Sequence, residues 1–181
     1  QDYRSYVGDL AGEEQRSLDK MPLNFFYIPL ILKTMPDARI IVLRRNPMDT
    51  CLSNYRQLFA TSFSYYRYAY DVEQTAAYYS AFASLMDACV EQLPGDCLCE
   101  VHYEDLVADL EPQVRRLLTF CDLDWEPECL AFHENQAPVA TASSVQVRAP
   151  LYQRASGRWR RYGEAALPFT RALAKQGVAI E

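Results

Sequence analysis

The residues with the clearest chemical promise lie in one short stretch, Arg39-Ile40-Ile41-Val42-Leu43-Arg44-Arg45-Asn46-Pro47, followed by Asp49 and Ser53. The continuous β-branched run from Arg39 to Leu43 predicts a buried parallel strand. Asn46 then Pro47 predicts a helix start: a capping side chain, then a residue whose missing N–H is not needed in the first turn. Asp49 suits that first turn electrostatically. In open α/β sheets, ligands bind beyond the carboxyl ends of strands. A strand end, two guanidinium groups and the N–H groups of a helix start would there meet an anion, phosphate above all. Ser53 adds a hydroxyl donor. The same residues also suit an arginine ion pair at a helix start, and the residue types leave both readings open.

Other reactive side chains give weaker signals. The cysteines Cys51, Cys89, Cys97, Cys99, Cys121 and Cys129 form no C-x-x-C pair, and the chain has only His102 and His133. A structural zinc site is not expected, and buried, reduced thiols of a cytoplasmic protein are. His102 and Tyr103 are neighbours in a second predicted strand, so they point to opposite faces. Neither histidine is assigned catalysis. Glu104 and Asp105 read as caps of the following helix rather than as acid–base groups. Tyr65, Tyr66, Tyr68, Tyr70, Tyr78 and Tyr79 read as a satellite core under a long helix, ahead of a substrate or dimer surface.

The elements that must position these residues follow from local pattern. Leu23 to Met35 is strongly apolar and predicts a buried helix, with Asn24 as cap and Pro36 as stop; Pro29 fits only near its first turn. The helix after Pro47 carries Leu52, Tyr55 and Phe59. A Tyr-rich loop over 61–70 precedes a long helix from Val72 to Leu93, stopped by Pro94-Gly95-Asp96. Cys97 to Tyr103 predicts the second strand. Val114, Leu117, Leu118 and Cys121 mark a further helix, and residues 128–132 a short one. Residues 134–157 read as irregular, and Trp159 to Ala174 as a helix interrupted at Pro168. Strand and helix alternate, which predicts an α/β domain with parallel strands, though two strands are few.

Composition narrows the class. Half of the 181 residues are hydrophobic and 23% are charged, so the chain can bury a core. The net charge of −6 argues against a surface that coats nucleic acid. No apolar run is long enough for a bilayer, and the start Gln1-Asp2-Tyr3-Arg4 lacks a signal-peptide core, so the expected location is cytoplasmic.

Beyond these local signals, four motifs occur in order. They are Asp19-Lys20-Met21-Pro22-Leu23-Asn24, the run from Pro36 to Ser53, Tyr103-Glu104-Asp105-Leu106-Val107, and Ser144 to Pro150 with Ser156-Gly157-Arg158-Trp159. Together they resemble the PAPS-dependent sulfotransferases. The likeness is greatest to bacterial members that carry tetratricopeptide repeats, relatives of protein-tyrosine sulfotransferases. The resemblance implies a P-loop-NTPase-like parallel sheet flanked by helices, transfer of a sulfuryl group from PAPS to an acceptor hydroxyl, and release of adenosine 3′,5′-bisphosphate without a metal. The family's Gly-rich 5′-phosphosulfate loop, of the type G-x-P-R-S-G-T, does not occur in these 181 residues. The chain therefore reads as a single domain, the C-terminal portion of a sulfotransferase, without the first strand, that loop, or the catalytic Glu that follows it in the tyrosine-sulfating branch.

The resemblance also implies roles. Arg45 and Ser53, eight residues apart, match the pair that binds the 3′-phosphate; Arg44 does not have that spacing. Lys20 matches the lysine at the bridging oxygen, and Ser156 a serine that reaches the leaving phosphate. Ser156 also suits a local helix cap. Arg148 and Arg154 are placed to meet the 3′-phosphate, and Tyr103 to lie near the adenine. Two alternatives stand beside this reading. One is a nucleotide kinase-like protein, for which no Walker lysine or magnesium site is visible. The other is a catalytically silent module that binds a partner through its sheet edge and aromatics. The acceptor class stays open, as does a homodimer or association with an upstream repeat region.

Overall fold

The computed structural model describes residues 16–60, 62, 64–135, 148, 149, 151 and 153–180. The polar start over 1–15 and the Ser144–Val147 part of the fourth motif lie outside the described residues. The chain divides into two compact units, with the boundary at Pro36 and Asp37.

In the first unit the apolar run is split. A 3₁₀ turn, Asn24–Tyr27, precedes helix α1, Ile28–Thr34, and Pro29 lies in the first turn of α1. Proline has no N–H for an i→i−4 bond, so the helix starts afresh there instead of continuing from Leu23. Asn24 consequently caps nothing. The expectation of a buried helix is also corrected: Ile28 is the one buried residue of these two elements, while Phe26, Tyr27 and Leu30 are each more than half exposed.

The second unit contains strands β1, Ile40–Arg44, and β2, Leu98–His102, paired in parallel with Ile40 opposite Leu98 and Arg44 opposite His102. Between them run helix α2, Pro47–Arg56, a 3₁₀ helix, Ser64–Tyr70, and helix α3, Val72–Gln92. The α3 span matches the apolar periodicity, and the Asp71 carboxylate caps it by accepting from the Gln74 N–H at 2.8 Å. The stretch expected as a Tyr-rich loop is helical from Ser64, with the Tyr68 and Tyr78 rings stacked 3.8 Å apart. After β2 come α4, Tyr103–Ala108, α5, Leu110–Phe120, 3₁₀ turns at Pro127–Cys129, Phe132–Glu134 and Gln153–Ala155, a 3₁₀ helix at Arg158–Ala166, and α6, Leu167–Lys175. The interruption expected at Pro168 falls at Gly163, whose φ of 48° and ψ of −125° break the helix. Pro168 instead lies in the first turn of α6, where its missing N–H is harmless.

The core lies where α2, α3 and α6 meet. Met48, Cys51 and Leu52 pack with Ala76 and with Phe169, Ala172 and Leu173, and the partly buried Tyr79 and Trp159 close its edge. Met48, Phe169 and Leu173 are nearly or fully buried, each contributing about 1.5–3 kcal/mol. This packing fixes both the start of α2 and the segment around Trp159. The strand β1 departs from expectation. Val42 is buried, but Ile41 and Leu43, on its other face, are 41% and 54% exposed. On that face α5 lies over β2, where the Arg116 guanidinium donates to the Cys99 sulfur and the Glu100 carbonyl, and it leaves β1 bare. None of the described helices is long and apolar enough to cross a membrane.

Candidate functional site

The site is built from the end of β1. Arg44 and Arg45 are consecutive, so their side chains leave the strand in opposite directions. Arg44 meets two carboxylates, Asp87 of α3 at 2.7 Å and Glu100 of β2 at 2.6 Å, with its own side chain 13% exposed. The ion-pair reading therefore holds for Arg44.

Arg45 has a different setting. Its Nη2 donates to the Ala155 carbonyl, and its guanidinium carbon lies 4.9 Å from the centre of the Tyr103 ring. Its Nε is buried and has no hydrogen-bond partner among the described residues, and none of their carboxylates pairs with it. Tyr103, expected as the last residue of the second strand, instead opens α4, one residue beyond the end of β2. The Arg45 backbone is fixed as well. Its carbonyl accepts from the Thr50 hydroxyl at 3.4 Å and the Tyr79 hydroxyl at 3.2 Å. Burial, more than any charge, pushes the Tyr79 phenol up to about 12, with Arg44 acting in the opposite direction; the phenol stays a donor at neutral pH. Burial likewise pushes the Cys51 thiol up to about 12. No disulfide joins any of the six cysteines, and four of them are buried.

Asn46 caps α2 as expected, its Oδ1 accepting from Met48 N at 3.0 Å and Asp49 N at 3.2 Å. That cap removes a contribution expected from the sequence. Pro47 has no N–H, those of Met48 and Asp49 go to Asn46, and that of Asn46 goes to Glu104 Oε1 at 3.0 Å. The helix start thus has no N–H left for direct donation to an anion, because side chains already satisfy it. Glu104 is corrected too: it holds the β1–α2 turn rather than capping its own helix.

The segment from Ala155 to Trp159 returns to this turn. Asp49, 2% exposed, accepts from Gly157 N at 2.6 Å and from Trp159 N at 2.9 Å. Gly157 has a φ of 65°, a left-handed conformation that glycine adopts without strain, and it stands at the cap position of the Arg158–Ala166 helix. Ser156 is therefore not the cap. Its hydroxyl is exposed and bonds to none of the described residues. Asp49 does the capping from across the fold, and sequence reasoning missed that role.

The other predicted residues are placed as follows. Ser53 is exposed on α2, one turn beyond Asp49 and on the same face of the helix. Arg154 is exposed beside Ala155, and Arg148 is exposed. Lys20 belongs to the first unit and is exposed in coil ahead of Asn24. The structure thus brings Arg45, Tyr103 and the Ala155–Trp159 segment together around the α2 start. His102 pairs with Glu100 at 3.1 Å, on the Arg44 side.

An arginine just past a strand end, with no carboxylate partner among the described residues, marks the end of β1 as a candidate anion site in an α/β protein. The comparisons with known proteins go further. A family model described as "Sulfotransferase family" matches residues 2–127, well over half of the chain. The chain belongs to the sulfotransferase family. It is 35% identical over 171 residues to an uncharacterized protein of Aquifex aeolicus (strain VF5); the match covers 94% of this chain and 22% of that one. The chain thus spans about a fifth of that relative's length. It is also similar to the solved "Sulfotransferase Domain from the Curacin Biosynthetic Pathway", with a TM-score of 0.65, 15% identity, and coverage of 98% of this chain and 69% of that one. At that identity the likeness shows the fold alone: a mixed α/β sulfotransferase fold with a small parallel sheet flanked by helices.

Proposed function

We propose that this chain supplies the 3′-phosphate half of a PAPS site in a sulfotransferase that acts on an acceptor hydroxyl. The observation that carries the reading is the setting of Arg45. Of two adjacent arginines, one is ion-paired with Asp87 and Glu100; the other has no carboxylate partner among the described residues. A charged donor of that kind calls for an anion. Family membership supports an adenosine phosphosulfate as that anion, and the surrounding groups suit it: a tyrosine ring for a nucleobase, and the exposed Ser53 and Ser156.

In this reading Arg45 and Ser53 hold the 3′-phosphate and Tyr103 lies beside the adenine. Arg148 and Arg154 add positive charge along the same segment. PAPS, when bound, supplies the sulfuryl group and leaves as adenosine 3′,5′-bisphosphate. Transfer through a loose transition state asks chiefly for positioning and for charge stabilisation at the bridging oxygen. By family resemblance Lys20 is assigned to that oxygen and Ser156 to the leaving phosphate. No group of this chain is assigned as the base that takes the acceptor's proton.

Calorimetric titration of the chain with adenosine 3′,5′-bisphosphate, against adenosine 5′-monophosphate, tests the reading. Binding that requires both the 3′-phosphate and Arg45 is the expected result. Equal affinity for the two nucleotides, or none from a folded chain, sinks it and favours the partner-binding alternative. Magnesium-dependent binding of ATP would favour a kinase-like protein.

A further inference from the structure

We infer that Asp49 is a positioning residue for nucleotide binding: its carboxylate holds the Ala155–Trp159 segment against the α2 start and so sets where the Ser156 hydroxyl stands. The inference rests on the 3′-phosphate reading given above. Three ties join this segment to the β1–α2 turn. The Ala155 carbonyl is held by Arg45, and the Gly157 and Trp159 N–H groups are held by the two oxygens of Asp49. Ser156 lies between the first tie and the second. On the far side, Trp159 packs on the core formed by α2, α3 and α6, so the segment is gripped from both ends.

The carboxylate is suited to this task beyond its place in the helix. An ordinary first-turn Asp is exposed and interacts with its own helix's N–H groups. Asp49 is buried, and both of its oxygens serve another helix, the Arg158–Ala166 helix, whose cap position is occupied by a glycine without a side chain. Asn46 meanwhile takes over the capping of α2, which leaves the Asp49 carboxylate for the distant segment. A buried carboxylate needs such donors, and two backbone N–H groups supply them. Arg45 and Ser156 are thereby referred to one frame. The arginine hangs from the turn that Asn46 caps, and the serine hangs from a segment bonded to that same turn.

The test uses Asp49→Asn and Asp49→Ala in the full 181-residue chain. Amide hydrogen exchange reports the clamp. Gly157 and Trp159 should exchange at least about tenfold faster in Asp49→Asn, while the amides of α3 and α6 keep their protection. Calorimetry reports the consequence. Affinity for adenosine 3′,5′-bisphosphate should fall roughly tenfold, with a comparable loss for the 5′-monophosphate, because the 5′-phosphate that Ser156 meets is common to both. Asn keeps one acceptor oxygen, so it should fall between Asp and Ala, and it carries the test alone where Asp49→Ala does not fold. Combining Asp49→Asn with Ser156→Ala should lose scarcely more bisphosphate affinity than Ser156→Ala does, because one change acts through the other. Wild-type affinity despite faster exchange, or full additivity, would each overturn the inference. A wild-type chain with no preference for the bisphosphate instead removes the underlying reading, and the inference falls with it.

Discussion

Arg44 and Arg45 are adjacent in sequence and opposite in circumstance. On the Arg44 side, β1, β2 and α3 contribute a guanidinium and two carboxylates, and the cation is answered within the fold. On the Arg45 side, the neighbours are a tyrosine ring, a carbonyl and a segment held by backbone bonds, and no carboxylate of the described residues answers the charge. In the proposed reading, structure and function are divided between two copies of one residue type, which leave the end of β1 in opposite directions. A charged group whose demands are met inside the fold works for stability. One whose demands are left open is available to a ligand.

The sharpest way to break this comparison is to remove each arginine in turn. Arg45→Ala should lower affinity for adenosine 3′,5′-bisphosphate at least about a hundredfold, or about 2.7 kcal/mol, in calorimetric titration. Its unfolding midpoint in urea should change little. Arg44→Ala should do the reverse. It strands Glu100 without its cation and should lower stability by about 2 kcal/mol, with nucleotide affinity of the folded chain within about twofold of wild type. Matching effects from the two substitutions would erase the distinction. Next in size is Glu104→Ala, which leaves the Asn46 N–H without its acceptor and should cost about 1 kcal/mol in urea unfolding. A further effect, confined to alkaline pH, concerns the support beneath Arg45. The folded-state values of Tyr79 and Cys51 are raised to about 12 from 10 and 9, so above those lower values the unfolded chain binds fewer protons than the folded one. Stability should be fully present below pH 9 and fall as pH rises toward about 12. Tyr79→Phe should flatten part of that decline in unfolding measured against pH.

The sequence shows the elements better than it shows their company. Asn46-Pro47 carries a start signal within two residues, and α3 repeats its apolar positions for six turns, so both were legible. Pro29 and Pro168 were legible as obstacles, but the sequence could not say that each would sit harmlessly in a first turn while Gly163 made the break. The bare face of β1 was hidden because an apolar run reads the same whether covered on one face or two. Within the site, the spacing of Arg45 and Ser53 and the place of Tyr103 were accessible through family resemblance. The Asp49 clamp was not. Its partners are backbone N–H groups 108 and 110 residues away, and a backbone N–H leaves no mark in a sequence. The one available signal was Gly157 at the head of a helix, a cap position with no side chain to fill it.

That separation has a consequence for the order of events in making the protein. Contacts between residues so far apart form late, because the loop between them must be closed first. At roughly 5–20 residues per second, synthesis delivers Trp159 roughly 5–20 seconds after Asp49. For that interval the nascent chain carries Arg45 and the Asp49 carboxylate with nothing to hold. The proposed nucleotide half-site is thus among the last features to assemble, and its two ends meet only when nearly the whole second unit has left the ribosome.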